Sequence, residues 1–153
     1  MNKLPFYKQQ TPFTCALACL RMVLESVGRI INENKLSKII GFDIKRGYSM
    51  PMLKDILDIM GMEYKLIPKA SIEELSSMLK YYPIAIISPK IYQNIPEEHG
   101  HTVVVKDITD KSVIINDPDQ QFGGENREID LNLFVRAWVE SRNWMLVVKG
   151  EEK

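Results

Sequence analysis

Cysteine and histidine are scarce in this chain, with two of each among 153 residues. Two cysteines cannot build the multi-bridge framework that staples small secreted domains. Cys15 and Cys19 lie four apart in a stretch that reads as helix, where the Cβ vectors do not suit a disulfide. Both are therefore expected as free thiols in a reducing, cytoplasmic setting. Neither sign of charge is in excess, at 20 Lys and Arg against 20 Asp and Glu. No net field and no dense basic cluster favours nucleic acid or an anionic membrane as partner. Long apolar runs are absent as well. The N-terminus, MNKLPFYKQQTPFTC, has no signal-peptide core, and no stretch approaches the roughly 20 apolar residues of a membrane span.

What is present suits one globular domain over residues 1–153, with a hydrophobic fraction of 45% and a charged fraction of 26%. Residues 1–13 read as irregular, with Pro5 and Pro12. Thr14 is placed to cap a helix from Cys15 to Val27, stopped by Gly28. Within CALACLRMVLESV only Arg21 and Glu25 are charged, so this helix must be almost wholly buried. Asn34 caps a short helix, Lys35 to Ile40. Ser49 and Pro51 open a helix over MPMLKDILDIM that ends at Gly61. A strand over 62–67 follows. Ser71 and Glu74 form a capping box for a helix reaching about Tyr81, and PIAIIS reads as a buried strand. The later half is β-rich: HTVVVKDI and SVIIND are joined by Thr109-Asp110-Lys111. Gly123-Gly124 marks a loop, Asp130 caps a helix over LNLFVRAWV, and WMLVV is a last strand. Helices first and a mainly antiparallel sheet later make the class α+β.

Cys15 sits at a helix N-terminus, where free N–H groups and the macrodipole favour a thiolate. Cys19, one turn deeper among apolar residues, is expected to be inert. If the turn after HTVVVKDI centres on Thr109, His101 faces Asp117, Val103 faces Ile115 and Val105 faces Val113. Facing Cβ atoms lie about 4.5–5.5 Å apart, so a carboxylate could orient the imidazole. A one-residue slip would undo this. His99 with Asp119 is a second candidate pair. A metal site built from His99 and His101 with Asp117 or Cys15 is a third reading, although no recognised zinc spacing is present. Gln9 or Gln10 could supply an oxyanion donor beside the backbone N–H of Cys15. Each residue taken alone has a plainer explanation: Cys15 as an inert core cysteine, His101 as a core-edge histidine, Asp117-Pro118 as a strand-ending turn, and the glutamines as loop residues. Tyr48, Tyr92, Trp138 and the methionines at 50, 52, 60 and 62 read as packing residues.

Gln9, the string CALACLRMV six residues on, His101 followed by TVVV, and IINDP together resemble the double-glycine-leader peptidases. These are papain-like domains that process bacteriocin and peptide-pheromone precursors. The resemblance covers roughly residues 9–118. It implies a papain-like fold, with a buried N-terminal cysteine helix packed on a twisted antiparallel sheet. It also implies thiol-dependent hydrolysis of a peptide or amide bond in a peptide or protein substrate, with no cofactor. In this reading Cys15 is the nucleophile, His101 general base and acid, Asp117 its orienter and Gln9 the oxyanion donor. An acyltransferase with the same triad, or a weakly active or inactive peptide-binding module, are the alternatives. Ala16 stands where the family usually has glycine, and its methyl group is expected to crowd the oxyanion site. With no P-loop and no membrane span, a stand-alone domain is expected.

Overall fold

The runs IAII, TVVV and MLVV are apolar at successive positions, which a strand tolerates only where both faces of its sheet are covered. The computed structural model describes residues 3–41, 48–92, 100–121 and 124–151. Its six strands are β1 (Met62–Ile67), β2 (Ile84–Ile87), β3 (His101–Ile108), β4 (Ser112–Asp117), β5 (Gly124–Asp130) and β6 (Met145–Glu151). They form one sheet in the order β1-β6-β2-β3-β4-β5, and each pairing is antiparallel. Helices α1 (Cys15–Ser26), α2 (Glu33–Ile39) and α3 (Met50–Met60) pack on one face with Ile84, Val104, Leu146 and Val148. Helices α4 (Ile72–Ser77) and α6 (Leu131–Glu140) pack on the other with Ala85, Ile87, Val103, Val105 and Val147. A short α5 (Pro89–Tyr92) follows β2. Strand alternation thus divides β3 between two cores: odd positions face α6 and even positions face α1. Thr102 and Asn116, expected on a mixed face, are buried beneath α1.

Nine of the twelve residues of α1 are buried. Its start departs from expectation, because Thr14 occupies the cap position without a side-chain cap bond. The hydroxyl turns back and accepts from the Thr11 N–H at 3.1 Å. A cap is worth about 1 kcal/mol, whereas burying each of Leu17, Leu20 and Leu24 contributes about 1.5–3 kcal/mol. Burial therefore decides that this helix forms.

Other boundaries follow local chemistry. Helix α2 is capped by Asn32, whose side chain accepts from the Lys35 N–H at 2.9 Å, and not by Asn34. Helix α3 ends where Gly61 takes φ +70°, a left-handed conformation suited to glycine. The capping box at Ser71 and Glu74 is present in both directions, each bond 3.0 Å. Helix α4 nevertheless stops at Ser77, whose hydroxyl donates to the Glu74 carbonyl, and a 3₁₀ turn completes the segment at Leu79–Tyr81. Asp130 caps α6 through Leu133 N–H. Strand β5, GENREID, was not expected, since it is an edge strand buried only at Gly124 and Ile129. Trp138 is a core residue whose indole donates to the Trp144 carbonyl at 2.9 Å. Met50 and Met62 are buried in the core. No helix among the described residues is long and apolar enough to cross a membrane.

Candidate active site

Helix α1 is registered on the sheet by Cys19, whose thiol donates to the Thr102 carbonyl at 3.3 Å. Cys15 lies one turn N-terminal to Cys19, about 6 Å back along the axis. That carries it past the covered part of the strand to the rim where β3 begins. His101 is the first residue of β3. Although its position alternates toward the α6 face, no further β3 residue stands between it and the helix start. Cys15 and His101 lie close enough for each to shift the other's ionisation.

The second ring nitrogen, Nε2, meets Asp117 Oδ1 at 2.6 Å, with Asp117 fully buried and His101 8% exposed. The register that produces this contact is not the expected one. Val105 faces Ile115 and Val104 faces Asn116, with a bulge between Val105 and Asp107. Near the turn Ile108 faces Val113, so the two-residue connection is Asp110-Lys111 and not centred on Thr109. The pairing at the open end is thus shifted by two. An even shift leaves each side chain on its face. His101 and Asp117 become diagonal neighbours, a separation that a ring and a carboxylate can span. Asp117 Oδ1 also accepts from the Asp119 N–H at 2.9 Å, which fixes the carboxylate and gives Asp119 a turn role. His99 lies outside the described residues.

Electrostatics tie the three groups together. Burial pushes the Cys15 thiol up, but the hydrogen bond and charge of His101, with further hydrogen bonds from Thr102, bring it below the ordinary thiol value. Burial likewise pushes His101 down. Hydrogen bonds to Asp117 and Cys15, and their charges, outweigh it and hold the imidazole up at about 10. A thiolate–imidazolium pair is the form this arrangement favours at neutral pH. Cys19, by contrast, is pushed well above the thiol range by burial, and the nearby Cys15 adds to this.

The segment before Cys15 is laid along the end of β4. Asn116 Nδ2 donates to the Pro5 carbonyl at 3.4 Å, and the Gln9 N–H donates to the Pro118 carbonyl at 2.9 Å. The narrow polar stripe of α1 serves this segment. Arg21 stacks on the Tyr7 ring at 3.6 Å, and the Tyr7 hydroxyl donates to Glu25 at 2.5 Å. Gln9 Nε2 donates to the Thr11 carbonyl at 2.8 Å, while Gln9 Oε1 is buried without a partner among the described residues. Gln10 is exposed. Ala16 is 1% exposed and belongs to the core cluster of α1.

Two residues escaped the sequence reading. Thr102 is buried beside both cysteines; strand alternation after His101 was the available signal. Glu33 is buried under the Gln10 backbone, and nothing in INENK distinguishes it from a solvated first-turn acid. No group of three or more His, Cys, Asp or Glu among the described residues is placed to hold a metal ion.

Gly100 sets how closely β3 enters the site. A Cβ there would lie 2.3 Å from Ile86 Cγ2, on the strand residue paired with Thr102. Gly100→Ala is expected to displace the start of β3, lowering stability by about 1–3 kcal/mol and reducing activity through His101. Thermal melts and turnover measured on the same preparation check this; an unchanged melt and unchanged rate would contradict it.

The model of the peptidase C39 family matches residues 3–152. No curated protein matches the chain. Among solved structures, a C39-like peptidase from Bacillus anthracis aligns with a TM-score of 0.75 at 19% identity, covering 99% of this chain and 96% of that one. The peptidase domain of Streptococcus ComA, a bi-functional ABC transporter of a quorum-sensing pathway, also gives 0.75 at 19% identity, over 99% of this chain and 100% of that one. A double glycine motif protease from an AMS/PCAT transporter, solved with its leader peptide, gives 0.65 at 22% identity, over 95% and 91%.

Proposed function

The chain belongs to the peptidase C39 family and is a cysteine peptidase of papain-like fold, and on that premise we propose that it cleaves its peptide substrate with Cys15, His101, Asp117 and Gln9. The observation that carries this reading is the His101 ring held at 2.6 Å by the buried Asp117 carboxylate, beside the Cys15 thiol whose ionisation it favours. The Cys15 thiolate attacks the scissile carbonyl carbon, and the carbonyl oxygen takes the negative charge. The backbone N–H of Cys15 and the Gln9 side-chain amide receive that oxyanion. An amide nitrogen carries two N–H bonds; in Gln9 one is used on Thr11, leaving the second for substrate. The partnerless Gln9 Oε1 has a cost of about 1–3 kcal/mol, which supports a side chain held for chemistry more than for folding.

Collapse of the tetrahedral adduct breaks the C–N bond. The His101 imidazolium gives its proton to the leaving amine, and a thioester to Cys15 remains. Water then attacks the thioester, His101 takes the water's proton, and the carboxylic acid product leaves with the thiolate restored. Asp117 keeps Nε2 protonated and stabilises the ring's charge throughout. The whole chain, 1–153, acts as one peptidase domain in this reading. Its setting is the cytoplasm, where thiols stay reduced.

The double glycine motif protease bound to its leader peptide suggests the first substrates to try. Synthetic peptides carrying a double-glycine leader junction are expected to be cut at one bond, with the cleavage blocked by prior alkylation. Mass spectrometry of the products checks both points. Peptides left intact by equimolar enzyme would count against this substrate class. Transfer of the acyl group to an added amine, in place of hydrolysis, would move the protein to the acyltransferases.

A further inference from the structure

Glu33 and Asp117 are the two fully buried carboxylates among the described residues. Asp117 is accounted for by His101, whereas Glu33 has no role in the chemistry above. It projects from the first residue of α2 and not from the loop it touches. Its two oxygens accept from the Gln10 N–H at 3.2 and 3.0 Å. The Thr14 hydroxyl and the Arg21 charge lie close enough to act on this carboxylate electrostatically. Burial pushes the Glu33 carboxyl up, and these partners partly bring it back. Burying a carboxylate is unfavourable, and satisfied hydrogen bonds offset the cost only in part. A folding role alone is a poor explanation for it.

Gln10, which Glu33 holds, and Thr14, which lies beside it, give the better explanation. Gln10 adjoins Gln9, and Thr14 adjoins Cys15. The two oxyanion donors, the Gln9 amide and the Cys15 N–H, hang from opposite ends of one seven-residue segment. Glu33 ties the Gln9 end to the start of α2, and the Thr14 hydroxyl ties the Cys15 end back to Thr11. The loop's own bonds run between Thr11 and Thr14 and brace it internally, while Glu33 anchors it to α2. We propose that Glu33 is the positioning residue of the oxyanion hole, fixing the separation between the Gln9 amide and the Cys15 N–H. This rests on the assignment of those two groups as oxyanion donors. Donors act only when held at hydrogen-bond distance from the developing charge, and a displacement of about 1 Å can cost about 100-fold in rate.

Glu33→Gln keeps the volume but replaces one of the two oxygens that accept from the Gln10 N–H with an amide donor and removes the charge, so the loop loosens without collapsing. Expected in the full chain is a loss of about tenfold in kcat, with KM within about twofold and the rate of Cys15 alkylation by iodoacetamide unchanged. Thiolate formation depends on His101, so it does not follow the loop. Thr14→Val, which removes the hydroxyl and keeps the shape, gives the same pattern. In a Gln9→Ala background, where kcat is already about 100-fold down, Glu33→Gln costs less than about twofold more. The proposal is overturned by a wild-type kcat in both Glu33→Gln and Thr14→Val, by an equal loss from Glu33→Gln with and without Gln9, or by a parallel fall in alkylation rate. A wild-type kcat in Gln9→Ala alone would instead remove the oxyanion assignment, and the proposal with it.

Discussion

Cys15→Ala lowers peptide hydrolysis by about 10⁴-fold or more while the protein stays folded. In the proposed mechanism the sulfur is the atom that bonds to substrate, so nothing else in the site can form the thioester. The residual rate comes from binding and from the oxyanion donors, which the substitution leaves in place. Folding survives because Cys15 sits at the rim, at the first position of α1, with the core beginning at Ala16 and Leu17. Cys19→Ala is the control. It removes a fully buried thiol and its bond to Thr102, costing stability but keeping turnover within a few-fold. Steady-state kinetics with circular dichroism on both variants separates the two cysteines. Full activity in Cys15→Ala, or loss in Cys19→Ala alone, would reverse the assignment.

His101→Ala brings a second loss of similar size, about 10³- to 10⁴-fold, and also alters the pH profile. In the native site His101 lowers the thiol against the opposing effect of burial. Without the imidazole, burial is opposed only by the Thr102 hydrogen bonds, and Cys15 titrates above its native position. The native enzyme is active where the thiolate and the imidazolium coexist. As pH falls through the lowered Cys15 value, the thiol protonates and activity is lost. As pH rises through about 10, His101 gives up its proton and the leaving amine has no acid. His101→Ala removes the alkaline limb and moves the acid limb upward. Rate profiles from pH 5 to 10.5 check the sign of both changes.

Much of this site was legible in the sequence, and the reasons are local. Cys15 could be placed because a run with two charges in thirteen residues can only be a buried helix, and the helix start is then fixed. The capping box at Ser71, the strand at 62–67 and the stop at Gly61 are matters of chain chemistry that tertiary contacts did not override. The meeting of His101 with Asp117 was expected for a partly mistaken reason. The pairing is shifted by two and bulged near Lys106. A bulge leaves no mark in a β-branched run, and the contact depended on the shift being even. Strand β5 was hidden because an edge strand needs few apolar residues, and GENREID has one inward isoleucine. Glu33 was hidden because a charge at a helix start is ordinarily solvated. Its burial follows from the loop above it, and no local pattern records that loop. Thr14 was read as a cap from its residue type, whereas its hydroxyl serves Thr11.

The central claim is that Cys15 is a thiolate made by His101, and the pH dependence of its alkylation tests this most directly. Iodoacetamide reacts with the thiolate, so its rate constant at Cys15, followed by mass spectrometry, traces ionisation of that one sulfur. Cys19 stays unlabelled in the folded protein because it is fully buried. The account predicts rapid labelling of Cys15 already below the ordinary thiol range, with a rate that levels off at lower pH than that of a free thiol. It also predicts that His101→Ala moves this curve upward. A Cys15 that labels no faster than a free thiol, with a rate still rising through pH 9 and unaffected by His101→Ala, would contradict it.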